Sequence, residues 1–579
     1  MKLPQTRTRT ISLIVAVLLV LSCIVAYFYI TKSSQEILST NKFYNAKMIY
    51  HGDAVTSNGP ECAAIGMDIL KNHNGTAVDA MIATLFCEGV AVTQSSGLGG
   101  GFVATIYDKA SGKVETVVAR ERAPIASTID MFVNMTKIDG IQSVAVPGEL
   151  KGYAEMHKKY GRTPWKTLIQ PTINLCRSGH IVTEYLERVM QNEEKAILQS
   201  PSLREVFMNP KTGKVWKAGD RIKRMKLAET LEIIAEEGAD SMYSVNGTIA
   251  KRLVQEFKEL DSIITMDDLI SYKTDWQKPV TTKLRGNYTL NTVPLPASGM
   301  VLALILNILN DYEPNMSVSY LHKIAESFKY GYAKRSFLGD ETYSETFLDE
   351  FSDMNYANQI RDLISNANKT FDNFKHYGAN YTLKDDHGTA HVSVLSKNGD
   401  AISVTTTINN IFGSKVRSRS TGIILNDEMD DFSTPGKPNQ FGVEPSPANY
   451  IKPGKRPLSS MCPLIVIDGN GDAVFIAGSA GGSKITTTVA YVLVRHLWMK
   501  ESLKDAVLSK RVHHQLLPMQ LSYEDGLDTS LVDGLKEYGH KMIGDKSVAG
   551  FAALTGISRV NGHIEATYDP RRIGSTEID

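Results

Sequence analysis

Two β-rich runs joined by a tight turn, beginning at one threonine, constrain the chain more than any other stretch. Ala390-His391-Val392-Ser393-Val394-Leu395 alternates apolar and polar residues, Asn398-Gly399 turns the chain, and Ala401-Ile402-Ser403-Val404-Thr405-Thr406-Thr407 runs back. Asn-Gly between two such runs is a strong short-range hairpin signal. Thr389 therefore opens an edge-like strand, directly after Gly388, which lets the chain bend. A second hairpin is predicted where Leu464-Ile465-Val466-Ile467 meets Ala473-Val474-Phe475-Ile476-Ala477 across Gly469-Asn470-Gly471. It ends in Gly478-Ser479-Ala480-Gly481-Gly482-Ser483 and a helix from Ile485 to Trp498, with Ser483 as N-cap.

A threonine hydroxyl is a weak nucleophile unless a base stands beside it. Cutting the Gly388–Thr389 bond gives Thr389 a free α-amine next to its own Oγ. That amine titrates near pH ~8, so much of it can accept a proton at physiological pH. The plainer account of the same residues is a Gly-Thr pair that only opens a strand. Gly481 and Gly482 place bare N–H groups at a helix start, a natural pocket for a developing oxyanion; a tight strand-to-helix turn is the alternative.

The rest of the chain sets the context. Ile11–Ile30 carries no charge and is long enough to span a bilayer as a helix. Lys2, Arg7 and Arg9 precede it without an acidic residue, which keeps the N-terminus cytoplasmic. A cleaved signal peptide is the rival reading. The expected layout is a tail over 1–10, an anchor over 11–30, a stem over 31–48, and two portions, 49–388 and 389–579. Seven Asn-x-Ser/Thr acceptors (Asn74, Asn134, Asn246, Asn287, Asn315, Asn368 and Asn380) all lie between the anchor and Thr389. They fit a type II cell-membrane protein with its folded part outside the cell. In that oxidising setting Cys62 and Cys87, on neighbouring predicted helices, are expected to pair. No cysteines form a CxxC pair, so a zinc reading has no support. The 63 basic and 63 acidic residues cancel, which removes any charge-based case for nucleic acid.

Gly97-Leu98-Gly99-Gly100-Gly101 precedes a strand rather than opening a helix, so a dinucleotide loop fails its context and close backbone packing is expected. Asn355–Tyr381 is polar and sparse in apolar residues. It reads as a flexible connector leading to the Gly388–Thr389 bond. Arg120 suits a bidentate carboxylate clamp, and Asn426-Asp427-Glu428-Met429-Asp430-Asp431 suits an ammonium or a cation. For both, a solvated surface is the default.

Taken together, Gly388-Thr389-Ala390-His391, Thr407-Ile408-Asn409, Phe412-Gly413-Ser414-Lys415, Asn426–Phe432, Pro457-Leu458-Ser459-Ser460-Met461-Cys462-Pro463 and Ala480-Gly481-Gly482 resemble the small subunit of γ-glutamyltransferases. Gly99-Gly100-Gly101, Arg120-Glu121 and Val146-Pro147-Gly148-Glu149 extend the likeness upstream, from about residue 50 onward, and the membrane-anchored animal form fits best. The resemblance implies an α+β fold, the N-terminal-nucleophile four-layer αββα sandwich, cut by its own chemistry between Gly388 and Thr389 into two subunits of one intertwined domain. It implies Thr389 as nucleophile, Thr407 holding it, and Gly481 and Gly482 as the oxyanion hole. Arg120, Ser459 and Ser460 would hold the α-carboxylate of a γ-glutamyl group, and Asn409, Glu428 and Asp431 its α-ammonium. The implied reaction cleaves γ-glutamyl amides of glutathione and its conjugates, passing the acyl group to water, an amino acid or a dipeptide, with no metal or cofactor. His387, where animal members more often carry a small residue, departs from the pattern, and so does the absence of a second cysteine pair near Phe207. The rivals are an acylase of the same fold acting on another amide, and a non-catalytic surface protein on the same scaffold.

Overall fold

The computed structural model describes residues 52–383, 388–545 and 550–579. The tail, the anchor over 11–30, the stem over 31–48 and His387 lie outside the described residues. Among the described residues no helix is long and apolar enough to cross a membrane.

Two antiparallel sheets form the centre. The first has seven strands in the order Ser575–Ile578, Ala54–Ser57, Ala390–Leu395, Ala401–Thr407, Gly101–Asp108, Lys113–Ala119, Asp275–Gln277. The second has six, in the order His563–Thr567, Ala553–Val560, Ala473–Ala480, Leu464–Ile467, Tyr288–Thr292, Val280–Leu284. Segments from both sides of Thr389 contribute strands to each sheet, so the two portions are one intertwined body. The hairpin is as expected, with Ala390 opposite Thr406 and Leu395 opposite Ala401.

Each sheet carries helices on its outer face. Val392, Val394, Ile402 and Val404 pack with helices that include Ala77–Ala91 and Trp165–Ser178. Leu464, Val466 and Phe475 pack with Gly299–Leu309, Val318–Arg335 and Lys484–Leu493. Gly299–Leu309 is buried at every position, which explains its unbroken apolar sequence. Between the sheets, Tyr107, Leu395, Ile465, Ile476 and Ile557 form an apolar layer. The layer order is αββα, as expected for this class.

The strand Ala390–Leu395 is not an edge. It is buried at all six positions and hydrogen-bonded on both sides, to Ala54–Ser57 and to Ala401–Thr407. Its polar residues face the other sheet instead of water. His391 Nδ1 lies 2.8 Å from Thr405 Oγ1 and Nε2 lies 2.9 Å from Ser393 Oγ. The Ser403 hydroxyl donates to the Ala477 carbonyl at 3.0 Å. Alternation thus marks an apolar helix-facing side and an inter-sheet side that is polar at His391 and Ser393 and apolar at Leu395.

Burial alone pulls the His391 imidazole down to about 3. A histidine whose folded pKa lies below its unfolded ~6.5 stabilises the fold above that pH, and the contribution is lost as pH falls toward the folded value. His391→Asn is therefore expected to give a shallower loss of thermal midpoint between pH ~6.5 and ~4 than the parent. Equal acid limbs in a thermal-melt series would contradict this.

Asn355–Tyr381 is not a connector. Met354–Ala367 is a helix capped by the Asp353 side chain, with Ala357, Ile360 and Ile364 as its buried stripe. Those three residues at spacings of three and four are enough to dock it. The Cys62–Cys87 disulfide is present and joins the helices Cys62–Asn72 and Ala77–Ala91.

Candidate active site

The Gly388–Thr389 peptide sits at the start of that central strand, with Thr389 only 3% exposed. The Thr389 hydroxyl donates to the Gly388 carbonyl oxygen. The Thr407 hydroxyl donates to the same oxygen at 2.8 Å and accepts the Asn409 N–H at 2.8 Å. One alcohol thus lies against the carbonyl it would attack while a second polarises it. Close backbone packing fixes this end of the hairpin: a Cβ on Gly100 would lie 2.0 Å from the Thr407 carbonyl oxygen, so only glycine fits. Arg572 adds a contact that sequence reasoning did not find. Its Nη1 donates to the Thr389 carbonyl at 3.0 Å across 183 positions, and nothing local to Arg572 signals that placement.

Removing one donor aimed at a developing oxyanion costs about 10²–10³ in rate. Thr407→Val is accordingly expected to slow scission of the 388–389 bond by about that factor, with Thr407→Ser close to the parent. A time course of chain cleavage on gels measures it, and an unchanged rate in Thr407→Val would count against the assignment.

Gly481 and Gly482 follow the strand Ala473–Ala480 with φ of +143° and +62°. Ala477 meets Ser403, which pairs with Ser393, while a Cβ on Gly478 would touch the His391 ring. Rising numbers in this strand therefore run toward the Thr389 end of the facing strand, and the glycine pair lies beyond that point. Ser483 does not cap the helix with its side chain. Its hydroxyl donates to Gln515 Oε1 at 2.7 Å, and its carbonyl accepts the Tyr332 hydroxyl.

The predicted head-group residues converge on Arg120, which is fully buried. Its Nη1 bonds Glu428, its Nη2 bonds Asp431 at 2.6 Å, and its Nε donates to the Pro457 carbonyl at 2.8 Å. The guanidinium is thus held by the two carboxylates expected to flank an ammonium, instead of standing free. Ser459 and Ser460 follow on the same turn as Pro457. Ser459 Oγ accepts the Met461 N–H at 3.3 Å, and Ser460 Oγ accepts from Arg335 Nη2 at 3.0 Å. Arg335, 5% exposed, is a second cation at this turn that sequence reasoning did not place.

Asn409 links the two halves of the site. Its N–H meets Thr407 and its Nδ2 donates to the Asp427 carbonyl at 3.1 Å, next to Glu428. Asn409 Oδ1 is a buried acceptor with no hydrogen-bond partner among the described residues, while Glu428 shares a hydrogen bond with the Glu121 carboxyl. An orphaned acceptor is costly unless a ligand fills it. Charge points the same way. Burial pushes Glu121, 3.7 Å from Arg120, up to about 8 and pushes Glu428 up as well, so a buried positive group placed beside them would favour their ionised forms. Two clefts, of about 520 and 410 Å³, share Lys137, Ile138 and Asp430 and open beside the 427–430 segment. His322, Glu326 and His540 form one group of metal-type ligands, but Lys329, Thr370 and Tyr377 already occupy the Glu326 carboxylate.

Residues 62–578 match the sequence profile of the gamma-glutamyltranspeptidase family. Scoloptoxin SSD14 of Scolopendra dehaani is 42% identical, over 91% of this chain and 92% of its own length. Glutathione hydrolase proenzyme 2 of Schizosaccharomyces pombe is 37% identical, over 93% and 89%. The crystal structure of cephalosporin acylase from Bacillus halodurans superposes with a TM-score of 0.79 at 22% identity, covering 92% of this chain and 97% of that one, a likeness of fold. With its sandwich, its buried Gly388–Thr389 peptide and this span of similarity, the chain belongs to the gamma-glutamyltranspeptidase family.

Proposed function

We propose that the chain is a glutathione hydrolase and γ-glutamyl transferase that makes its own nucleophile. The observation that carries this reading is the pair of threonine hydroxyls on the Gly388 carbonyl. Thr389 Oγ attacks the Gly388 carbonyl carbon, with Thr407 and Thr389's neighbours holding the oxygen. The C–N bond breaks as the proton passes from Oγ to nitrogen, leaving an ester. Water opens the ester, giving a Gly388 carboxyl and a Thr389 free amine, and hence chains 1–388, which carries the anchor over 11–30, and 389–579.

In turnover the amine takes the Oγ proton as Oγ adds to the γ-carbonyl of the donor. Gly481 and Gly482 N–H groups meet the oxyanion, the amide C–N bond breaks, and the proton leaves with the departing amine. Water or an acceptor amine then releases the γ-glutamyl group. A zwitterionic head group can exchange for the internal pair without unbalancing charge. Its carboxylate takes Arg120, Ser459 and Ser460, and its ammonium takes Glu428, Asp431 and Asn409 Oδ1. That exchange favours γ-glutamyl donors over simple amides.

All seven acceptor asparagines are exposed: Asn74, Asn134, Asn246, Asn287, Asn315, Asn368 and Asn380. That exposure suits glycosylation of an extracellular, single-pass type II enzyme. Purified ectodomain incubated with a γ-glutamyl anilide should release the aniline, faster with a dipeptide acceptor. No release from a cleaved, folded protein would overturn the reading.

A further inference from the structure

Arg224 is a buried charge that the chemistry above leaves unused and, unlike Arg511 with Asp569, it has no carboxylate partner among the described residues. It is 1% exposed and immediately precedes the helix Met225–Glu237. Its Nη1 donates to Thr93 Oγ1 at 2.6 Å and its Nη2 to the Gly422 carbonyl at 3.3 Å. Its Nε has no partner among the described residues. No described carboxylate lies within ion-pair distance of it. Besides burial, Arg417, of like sign and with its own partner Glu205 68% exposed, pulls the Arg224 pKa down, the buried Cys176 thiol pushes it up, and the Phe207 ring lies 5.5 Å from the guanidinium carbon. Burial pulls the Arg224 guanidinium down to about 10, which leaves it charged at neutral pH. A buried charge without a counter-charge costs several kcal/mol.

Beside it lies a cavity of about 20 Å³ whose wall is mostly apolar, with Arg224, Thr93, Ser96 and Tyr153 as its polar members and Leu227 among the rest. That is room for a single occupant of water size. Ser96 Oγ is a second buried group there with no partner among the described residues. The helix Met225–Glu237 starts at this wall, with Leu227 in its first turn and no side chain capping its N–H groups. Its dipole adds positive potential. The Tyr153 hydroxyl at the wall donates to Glu149, and burial pushes Glu149 up to about 8 and Glu88, next to Gly89 in the lining, up to about 7.

We propose that this cavity is a binding site for one monatomic halide, chloride by size, held by Arg224 Nε, Ser96 Oγ and the start of the helix. The volume excludes sulfate, phosphate and carboxylates. The site is one layer from the catalytic hairpin. Thr93 continues into Gln94 and Ser95, whose carbonyls accept the N–H groups of Phe412 at 2.8 Å and Ile408 at 3.1 Å, and Ile408 follows Thr407. Chloride would therefore stiffen the segment that positions Thr407 and Asn409.

The test is a thermal-melt titration of the cleaved ectodomain with sodium chloride against sodium gluconate at constant ionic strength, with sulfate as a further arm. Chloride is expected to raise the midpoint saturably, by roughly 2–3 °C at a hundredfold excess over its Kd. Bromide should reproduce the effect, and gluconate and sulfate should not. In Arg224→Gln the halide dependence should vanish. If that variant does not fold, bromide-soaked crystals of the parent decide, with an anomalous peak expected beside Arg224. Equal midpoints in chloride and gluconate, the same halide response in folded Arg224→Gln, or water alone in the cavity would overturn the proposal. Each result is independent of whether the protein cleaves γ-glutamyl amides.

Discussion

Thr389→Ala should remain one unbroken chain and lose donor hydrolysis by about 10⁴-fold or more, the scale seen when the nucleophile of a covalent mechanism is removed. Both losses come from one atom. Thr389 Oγ is placed against the Gly388 carbonyl in the uncut chain, and the same atom would carry the acyl group after cutting. Thr389→Ser keeps that atom and is expected to cleave, more slowly because serine lacks the methyl group that restricts χ1. Two chains from Thr389→Ala, seen on a denaturing gel, would mean that scission is done by another group or another protein.

The second large effect is expected at Glu428. One of its oxygens bonds Arg120, and its carboxyl also shares a hydrogen bond with Glu121. Glu428→Gln keeps the shape and an acceptor for Arg120 but removes the charge that would meet an α-ammonium. A charge-assisted hydrogen bond is worth about 1.5–3 kcal/mol, so KM for a γ-glutamyl donor should rise roughly 10- to 150-fold. Self-cleavage should persist, because Thr389 and Thr407 are untouched. Stability should hold or improve, because burial already opposes the Glu428 charge. Initial-rate kinetics separate these effects. A KM within twofold of the parent would remove Glu428 from the donor site.

Much of the site can be read from the sequence because its residues lie in short, dense strings. Thr389, Thr407, Asn409, Glu428, Asp431, Ser459 and Ser460 all follow the scission bond, and their neighbours in sequence are their neighbours in space. What escaped was set by tertiary placement. Arg572 and Arg335 reach the site from a distant loop and from a helix. Arg120 was expected to await a carboxylate, and the fold instead gives it two internal ones. In the strand Ala390–Leu395 the alternation was correctly a strand but wrongly an edge. A polar stripe facing a polar inter-sheet layer has the same sequence pattern as one facing water. The helix Met354–Ala367 was missed because three apolar residues suffice to seat it on a large core.

The central claim is that the working nucleophile is a threonine whose own backbone nitrogen has been set free. N-terminal sequencing of the smaller chain of the active, purified protein addresses it directly. The account predicts a free amine followed by Thr389-Ala390-His391-Val392-Ser393. A blocked or different terminus, or a single unbroken polypeptide turning over donor at full rate, would contradict it.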